Sequence, residues 1–396
     1  MSTAKTRRVL SLSTLFPNEA NPRFGIFVAR SLEALQGDTH WEAVVVNPIG
    51  LPPMAVGRYK ALQEAAKDGT DFGLTVYRPT FRLIPRFGGR LNPGAIAKAV
   101  IPLARRLHAE TPFDLVDAQF FYPDGPAAMM IARELGLPFS VKARGADIHY
   151  WGARSYGRKA LLETANAAAG VLAVCDALAD DMAALGMDRA KITTHYTGLD
   201  RDLFRPLDHT GLRATIADTF DVPCRKEETL LLSVGALIER KGQGLIIKAM
   251  GGFPDTRLLL VGKGEDEASL RKLAKEVGVA DRVHFLGSQP PSSLAPLYSA
   301  ADLMVLPSAS EGLANAWIEA LACGTPLVIT DAGGAREIVK TPDAGVIVAR
   351  NCRAIAEGIR QIGERPRSPE KVAEAVENFS WQANGEALAA YYDSIV

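Results

Sequence analysis

DLMVLPSASEGLANAWIEALACGTPLVITD, residues 302–331, carries the reading of the fold. An apolar run from Leu303 to Leu306 ends at Pro307 in a turn rich in Ser, Ala and Gly. A helical pattern begins near Asn315, and a second apolar, β-branched run, PLVITD, follows Gly324. Strand, helix and strand in succession form one unit of a parallel sheet with helices packed on it.

The same alternation extends in both directions. After residue 200 the runs TLLLSVGAL, TRLLLVG and RVHFLG are separated by helical stretches such as EASLRKLAKEVG. Before residue 200 come RRVLSLSTLF, WEAVVVNPI, FDLVDAQF, PFSVKARG and GVLAVCD. Two such series predict two doubly wound α/β domains. The polar, proline-containing stretch TGLDRDLFRPLDHTGLRATIADTFDVPCRKEE separates them. The expected division is an N-terminal domain at 1–198, a linker at 199–225, a C-terminal domain at 226–375 and a terminal helix at 376–396. In that helix Trp381, Leu388, Tyr391 and Tyr392 are available for packing. Two such domains facing each other give a deep cleft, with ligands at the carboxyl ends of the strands.

Bulk composition narrows the function. With 396 residues, 47% apolar and 23% charged, the chain is globular and too long for one ordinary core. Lys+Arg and Asp+Glu both number 45, so no global field points to nucleic acid. Cys175, Cys224, Cys323 and Cys352 form no C-x-x-C pair, which argues against zinc and redox chemistry and suits a reducing compartment. The N-terminal apolar run stops before Pro17 and reads as a strand, not a signal peptide. No apolar window approaches the roughly 20 residues a membrane span needs. The expected location is cytoplasmic, with peripheral contact at the membrane face left open.

Glu311 and Glu319 stand in apolar surroundings where an unpartnered carboxylate costs several kcal/mol. The helix starting near Asn315 offers backbone N–H groups from Gly312 to Asn315, an arrangement suited to phosphate. Read as one continuous helix, eight positions place the two glutamates about 80° apart after two turns, facing different parts of one ligand. Carboxylates accept paired hydrogen bonds from sugar or ribose hydroxyls. In TLLLSVGALIERKGQGL, Arg240 and Lys241 occupy a strand-to-helix turn and suit a diphosphate. Gly262 and Gly264 end one strand, and Gly333 and Gly334 follow another. Plainer readings stay open: a turn glutamate, a salt-bridged core glutamate, a solvated Arg-Lys pair and simple tight turns. Taken together, the features point to a sugar nucleotide.

LLSVGALIERKG, LLLVGKGEDEASL, the long run from RVHFLG to GGAREIV, and the closing FSW resemble the retaining glycosyltransferases of family 4, which have the GT-B fold. Glu311 to Glu319 is similar to that family's E-x7-E motif. LSTLFPNEANPRFGIFV, AQFFYPDGPAA and KARGADIHYW resemble a subgroup that builds bacterial surface polysaccharides. The resemblance covers nearly the whole chain. It implies two Rossmann-like domains, a terminal helix returning to the first, and transfer of a sugar from a UDP- or GDP-linked donor to a glycan or lipid-linked acceptor. It assigns catalysis to Arg240, Lys241, Glu311 and Arg144. Donor binding falls to Gly235, Gly262, Val283, Leu286, Gly312, Leu313, Ala314, Asn315 and Glu319. Gly25, Asp124, Asp147 and His149 fall on the acceptor side. No cofactor and no metal are implied. Asp200-Arg201-Asp202 matches D-x-D but reads as a helix-starting turn.

Two departures stand out. Ala236 occupies the place of an arginine in Gly-Arg-Leu, and Arg144 that of a histidine before G-x-D. Arginine stays protonated and serves charge stabilisation rather than base catalysis. The implied mechanism retains configuration: the acceptor approaches from the leaving-group side and its proton passes to the departing phosphate oxygen. YRPTFRLIPRFGGR interleaves Arg78, Arg82, Arg86 and Arg90 with apolar residues, which fits either an anionic membrane surface or an ordinary packed loop. Competing functions are a non-catalytic nucleotide-sugar-binding protein and a UDP-sugar 2-epimerase-like enzyme. A dinucleotide oxidoreductase is disfavoured because no G-x-G-x-x-G follows the first strand.

Overall fold

Every residue of Leu303–Leu306 and Leu327–Thr330 is buried, as expected of strands covered on both faces. In the computed structural model, which describes residues 6–84, 88–208, 211–223, 225, 227–365 and 367–396, these strands belong to the second of two units. That unit runs Leu199–Phe379; the first comprises Met1–Gly198 and Ser380–Val396.

The sheet of the second unit has six parallel strands, in the order Val283–Gly287, Thr256–Val261, Thr229–Val234, Leu303–Leu306, Leu327–Thr330, Gly345–Val348. The chain therefore starts mid-sheet, winds outward one way, then returns to wind the other. The strand order reverses between Thr229–Val234 and Leu303–Leu306, the position at which doubly wound sheets generally bind ligands. On one face Ile246, Leu270, Ile355 and Ile359 from the helices pack with Leu258, Leu260 and Val305. The remaining core includes fully buried Trp317 and Tyr298.

The first unit has an eight-stranded sheet ordered Ile192–Thr194, Gly170–Ala173, Phe139–Ala143, Leu115–Ala118, Arg7–Leu12, Trp41–Val46, Leu74–Tyr77, Gly69–Asp71. All neighbours are parallel except the last pair. Here the order reverses between Arg7–Leu12 and Leu115–Ala118.

The terminal helix, Trp381–Asp393, is capped by Ser380, whose hydroxyl accepts from the Ala383 amide at 3.0 Å. It packs on helix Ile26–Asp38 in the first unit. Leu388, Tyr391 and Tyr392 join that unit's core beside Trp41. Asn384 is the polar anchor: Ser31 donates to its Oδ1 at 2.6 Å, its Nδ2 donates to the Tyr196 carbonyl at 2.6 Å, and its carbonyl lies 2.9 Å from His195 Nε2. Replacing Asn384 by alanine strands the Ser31 hydroxyl and the Tyr196 carbonyl. We expect a loss of about 2 kcal/mol, read as a lower midpoint for the first unit in urea unfolding.

The segment expected to be a linker, 199–225, is partly helical. Leu212–Phe220 forms a helix of the second unit, with Arg213 donating to Asp302 Oδ2 at 2.6 Å. Only Ile216 of that helix is buried, so its apolar periodicity is too thin to stand out in the sequence.

Candidate active site

The two loops at the reversal point of the second sheet are fastened together. One contains the single turn Glu239–Lys241; the other runs from Pro307 into Glu311. The Ala309 amide donates to the Arg240 carbonyl at 2.7 Å, and Arg240 Nη1 donates to the Ser310 carbonyl. Lys241 Nζ lies 2.5 Å from Glu311 Oε1, and Arg240 Nη1 lies 3.4 Å from Oε2. The Lys241 and Glu311 side chains are 13% and 8% exposed while Arg240 keeps 39%, so Arg240 is the cation with open surface. Burial pulls the Lys241 amine below its usual pKa, Glu311 opposes that shift, and Arg240 adds to it. Glu311 thus has its compensating charges inside the chain.

The stretch from Glu311 to Glu319 is not one helix. Ala314 is extended (φ −72°, ψ 118°), and the helix runs only from Asn315 to Ala322. The angular argument over eight helical positions therefore does not apply. Gly312 accepts at its carbonyl from the Gly334 amide at 2.8 Å. Gly333 sits at φ 51°, and a Cβ there would fall 2.1 Å from the Gly312 carbonyl oxygen, so no larger residue fits. Gly312, Leu313 and Ala314 are buried, and Asn315 is half-buried. Glu319, partly exposed on the second turn of the helix, accepts from the Tyr298 hydroxyl at 2.9 Å. Burial pushes its carboxyl up to about 7, against the lowering effect of that hydrogen bond. Nothing in the sequence signalled Tyr298, which comes from the preceding helix, Pro291–Ala300.

Gly235 and Gly262 lie at adjacent strand ends; the Gly235 amide donates to the Val261 carbonyl at 2.9 Å, and the Gly262 amide to that of Gly287 at 2.8 Å. Leu286 is half-buried near the carboxyl end of Val283–Gly287. Val283 is misplaced by the sequence reading. It opens that strand, about 10 Å from Leu286, and is buried in the core with Leu258 and Ile247. It faces no ligand edge.

Arg144 and the acceptor-side residues belong to the first unit. The Arg144 guanidinium donates to the Gln119 carbonyl at 2.8 Å and to Gln119 Oε1 at 2.7 Å, and lies 4.6 Å from the Phe27 ring centroid. Burial lowers its pKa to about 10, with Asp147 and Asp117 opposing the shift. It remains a cation at neutral pH. Asp147 accepts from the amides of Phe121 at 2.8 Å, Arg144 at 3.0 Å and Ile148 at 3.1 Å. Asp124 accepts from the Thr14 amide and hydroxyl, both at 2.8 Å. Burial raises the pKa of both carboxyls, that of Asp124 to about 7. Both therefore act as fasteners for loops at the carboxyl edge of the first sheet. His149 pairs with Asp181 at 2.9 Å. Gly25, at φ 75° before helix Ile26–Asp38, would place a Cβ 2.4 Å from the Leu15 carbonyl. Asp200 Oδ1 accepts from the Leu203 amide at 3.0 Å within a turn.

The arginine-rich stretch divides. Arg78 is buried: it pairs with Asp71 and donates to the Lys67 and Pro17 carbonyls at 2.9 and 3.2 Å. It presents no charge to a membrane, and that expectation is corrected. Arg82 and Arg90 are exposed, near Ile84 and Leu91, which are also exposed. Arg86 lies outside the described residues. Among the described residues, no helix is long and apolar enough to cross a membrane.

Family models match both units. The model for glycosyl transferases group 1 matches residues 216–379, and that for Glycosyltransferase Family 4 matches residues 55–203. The chain carries the domains of the group 1 and family 4 glycosyltransferases. A D-inositol 3-phosphate glycosyltransferase of Mycobacteroides abscessus is 33% identical to it over 213 residues, covering 52% of this chain and 47% of that protein. The chain spans about half the length of the curated relatives it matches. Among solved structures, the sucrose-phosphate synthase of Thermosynechococcus elongatus superposes with a TM-score of 0.76 at 20% identity, covering 98% of this chain and 99% of the other. Anabaena HepE in complex with UDP gives 0.74 at 19% identity, covering 98% and 100%. These likenesses establish the fold of the chain: two α/β units of the GT-B type, with the terminal helix in the first.

Proposed function

We propose that the chain transfers a sugar, with retention of configuration, from a UDP- or GDP-linked donor to a glycan or lipid-linked acceptor in polysaccharide or glycolipid assembly. The observation that carries this reading is the Arg240–Lys241–Glu311 cluster at the strand-order reversal of the unit matched by the group 1 model. Breaking the bond between the anomeric carbon and the diphosphate oxygen leaves positive charge on the sugar and negative charge on the diphosphate. Arg240 and Lys241 stabilise the latter, together with amides from Gly312 to Asn315. Glu311 accepts from the sugar hydroxyls while still holding Lys241, and Glu319 accepts from the ribose. The acceptor oxygen bonds to the anomeric carbon, and its proton leaves with the departing phosphate oxygen. No enzymic nucleophile is needed.

In the first unit, Arg144 adds a fixed positive charge on the acceptor side. Asp124 and Asp147 serve through the loops they hold rather than by touching substrate. Arg82 and Arg90, with Ile84 and Leu91, are the residues for contact with the cytoplasmic face of a membrane. The UDP bound to the Anabaena protein supports a nucleoside diphosphate as ligand.

The test is a thermal-shift panel of UDP, GDP, ADP, dTDP and NAD, followed by turnover with the matching nucleotide sugar. At a hundred times Kd, binding adds about 2.7 kcal/mol to the stability of the native state. We expect a Tm rise with one nucleoside diphosphate that disappears in Glu319→Ala. A folded protein that responds to none overturns the reading; binding without turnover leaves a nucleotide-sugar-binding protein.

A further inference from the structure

Arg350 lies just past the last strand of the second sheet, Gly345–Val348, and the residue is exposed. Its guanidinium is nevertheless committed. Nε donates to the Pro307 carbonyl at 3.0 Å and Nη2 donates to the Glu239 carbonyl at 2.9 Å. Pro307 begins the segment leading to Ser310 and Glu311; Glu239 begins the turn that presents Arg240 and Lys241. One side chain, from a strand that is neighbour to neither loop's own strand, thus binds the roots of both.

We propose that Arg350 is a positioning residue for sugar transfer, an inference that rests on the function proposed above. Both of its bonds go to backbone carbonyls. Its fork fixes the separation of two carbonyls and so holds Lys241 and Arg240 against Glu311 before a donor arrives. The chemistry favours arginine. Two carbonyls at a set spacing match its rigid, planar pair of donors, whereas a lysine ammonium is a single point on a flexible stem. An exposed arginine gives up side-chain entropy to take one conformation, and the two charge-assisted bonds offset that loss. The other ties between the loops, the Ala309–Arg240 backbone bond, the Arg240–Ser310 bond and the ionic cluster, all involve the site residues themselves or their immediate neighbours, whereas Arg350 grips the loops at Pro307 and Glu239. A diphosphate must draw on Lys241 without pulling Glu311 out of place, and displacement of reacting groups by about 1 Å costs about a hundredfold in rate.

The test has two arms, both on the full chain. In the ligand-free protein, amide hydrogen exchange is compared between wild type and Arg350→Ala. We expect the amides of Ala309, bonded to Arg240, and of Gly242, bonded to Glu239, to exchange about tenfold faster together, with strand Leu303–Leu306 unchanged. In turnover with the nucleotide sugar found by the panel, kcat falls about tenfold, the acceptor KM holds, and Arg350→Lys fails to restore the rate. Unchanged exchange, or a change in one loop only, overturns the proposal, as does full rescue by lysine. If no nucleotide binds wild type, the proposed function falls, and the exchange arm still decides whether Arg350 ties the loops.

Discussion

Lys241→Ala is expected to lower sugar transfer by about two to three orders of magnitude in a protein that remains folded, the loss typical of removing one preorganised group from a developing charge. Glu311→Ala should fall as far, because it removes a sugar contact and frees Lys241 at once. The two differ in stability. Without Lys241, the Glu311 carboxylate is left buried with Arg240 at 3.4 Å as its remaining ionic partner. Breaking a buried pair costs about 3–5 kcal/mol, and the surviving arginine keeps the cost near the lower end. Without Glu311, Lys241 is already pulled below its usual pKa by burial and has the option of losing its proton, so the penalty is smaller. The double replacement Lys241→Met with Glu311→Leu removes both charges and should be more stable than Lys241→Ala alone while equally inactive. Initial rates and urea midpoints for the four proteins measure both effects. Lys241→Ala protein with activity within about tenfold of wild type would sink the diphosphate role.

The architecture was legible because the central parallel strands are buried on both faces and helices connect most of them, which writes the alternation directly into composition. Runs such as TLLLSV and TRLLLV carry three consecutive leucines for this reason. What stayed hidden depends on pairings between distant segments. Strand order, and with it the reversal between Thr229–Val234 and Leu303–Leu306, is set by contacts no local window contains. Val283 was carried to the donor site by the resemblance alone, and a short apolar run does not announce which of its ends faces the ligand edge. Arg78 looked like a surface cation because its partners are Asp71 and two backbone carbonyls, and carbonyls carry no residue-specific signal. The spacing from Glu311 to Glu319 imitated a helical phase because Gly, Leu, Ala and Asn fit either a bend or a first turn. Arg240, Lys241 and Glu311 could be singled out as charged side chains in turns after strands, and the structure brings the three together. Tyr298 and Gln119, which hold Glu319 and Arg144, are ordinary residues whose roles appear only in three dimensions.

Glu319 carries the second large prediction, through pH. Its carboxyl titrates near 4.5 when solvated and is pushed up to about 7 in the fold by burial. The native state therefore binds the proton more tightly than the unfolded chain does. Stability from this group is fully present below the unfolded value, declines as pH rises between the two, and is flat above about 7. The shift corresponds to about 3 kcal/mol, reduced to about 2 because part of the residue faces solvent. Glu319→Gln should accordingly stabilise the ligand-free protein by about 2 kcal/mol at pH 8 and hardly at all at pH 4.5. Ligand binding should run the other way. Ribose hydroxyls donate to the ionised carboxylate, so nucleotide affinity should rise about tenfold between pH 6 and pH 8 in wild type. Phosphate titrates in the same range, and the glutamine variant, which keeps the shape but not the charge, isolates its contribution. Calorimetry of the nucleoside diphosphate with both proteins across that range gives the difference. A slope shared equally by wild type and Glu319→Gln would place the titration on the ligand and remove Glu319 from the ribose. A slope confined to wild type, paired with higher stability of the variant at pH 8, would mean that the fold keeps a destabilising carboxylate because the ligand needs it.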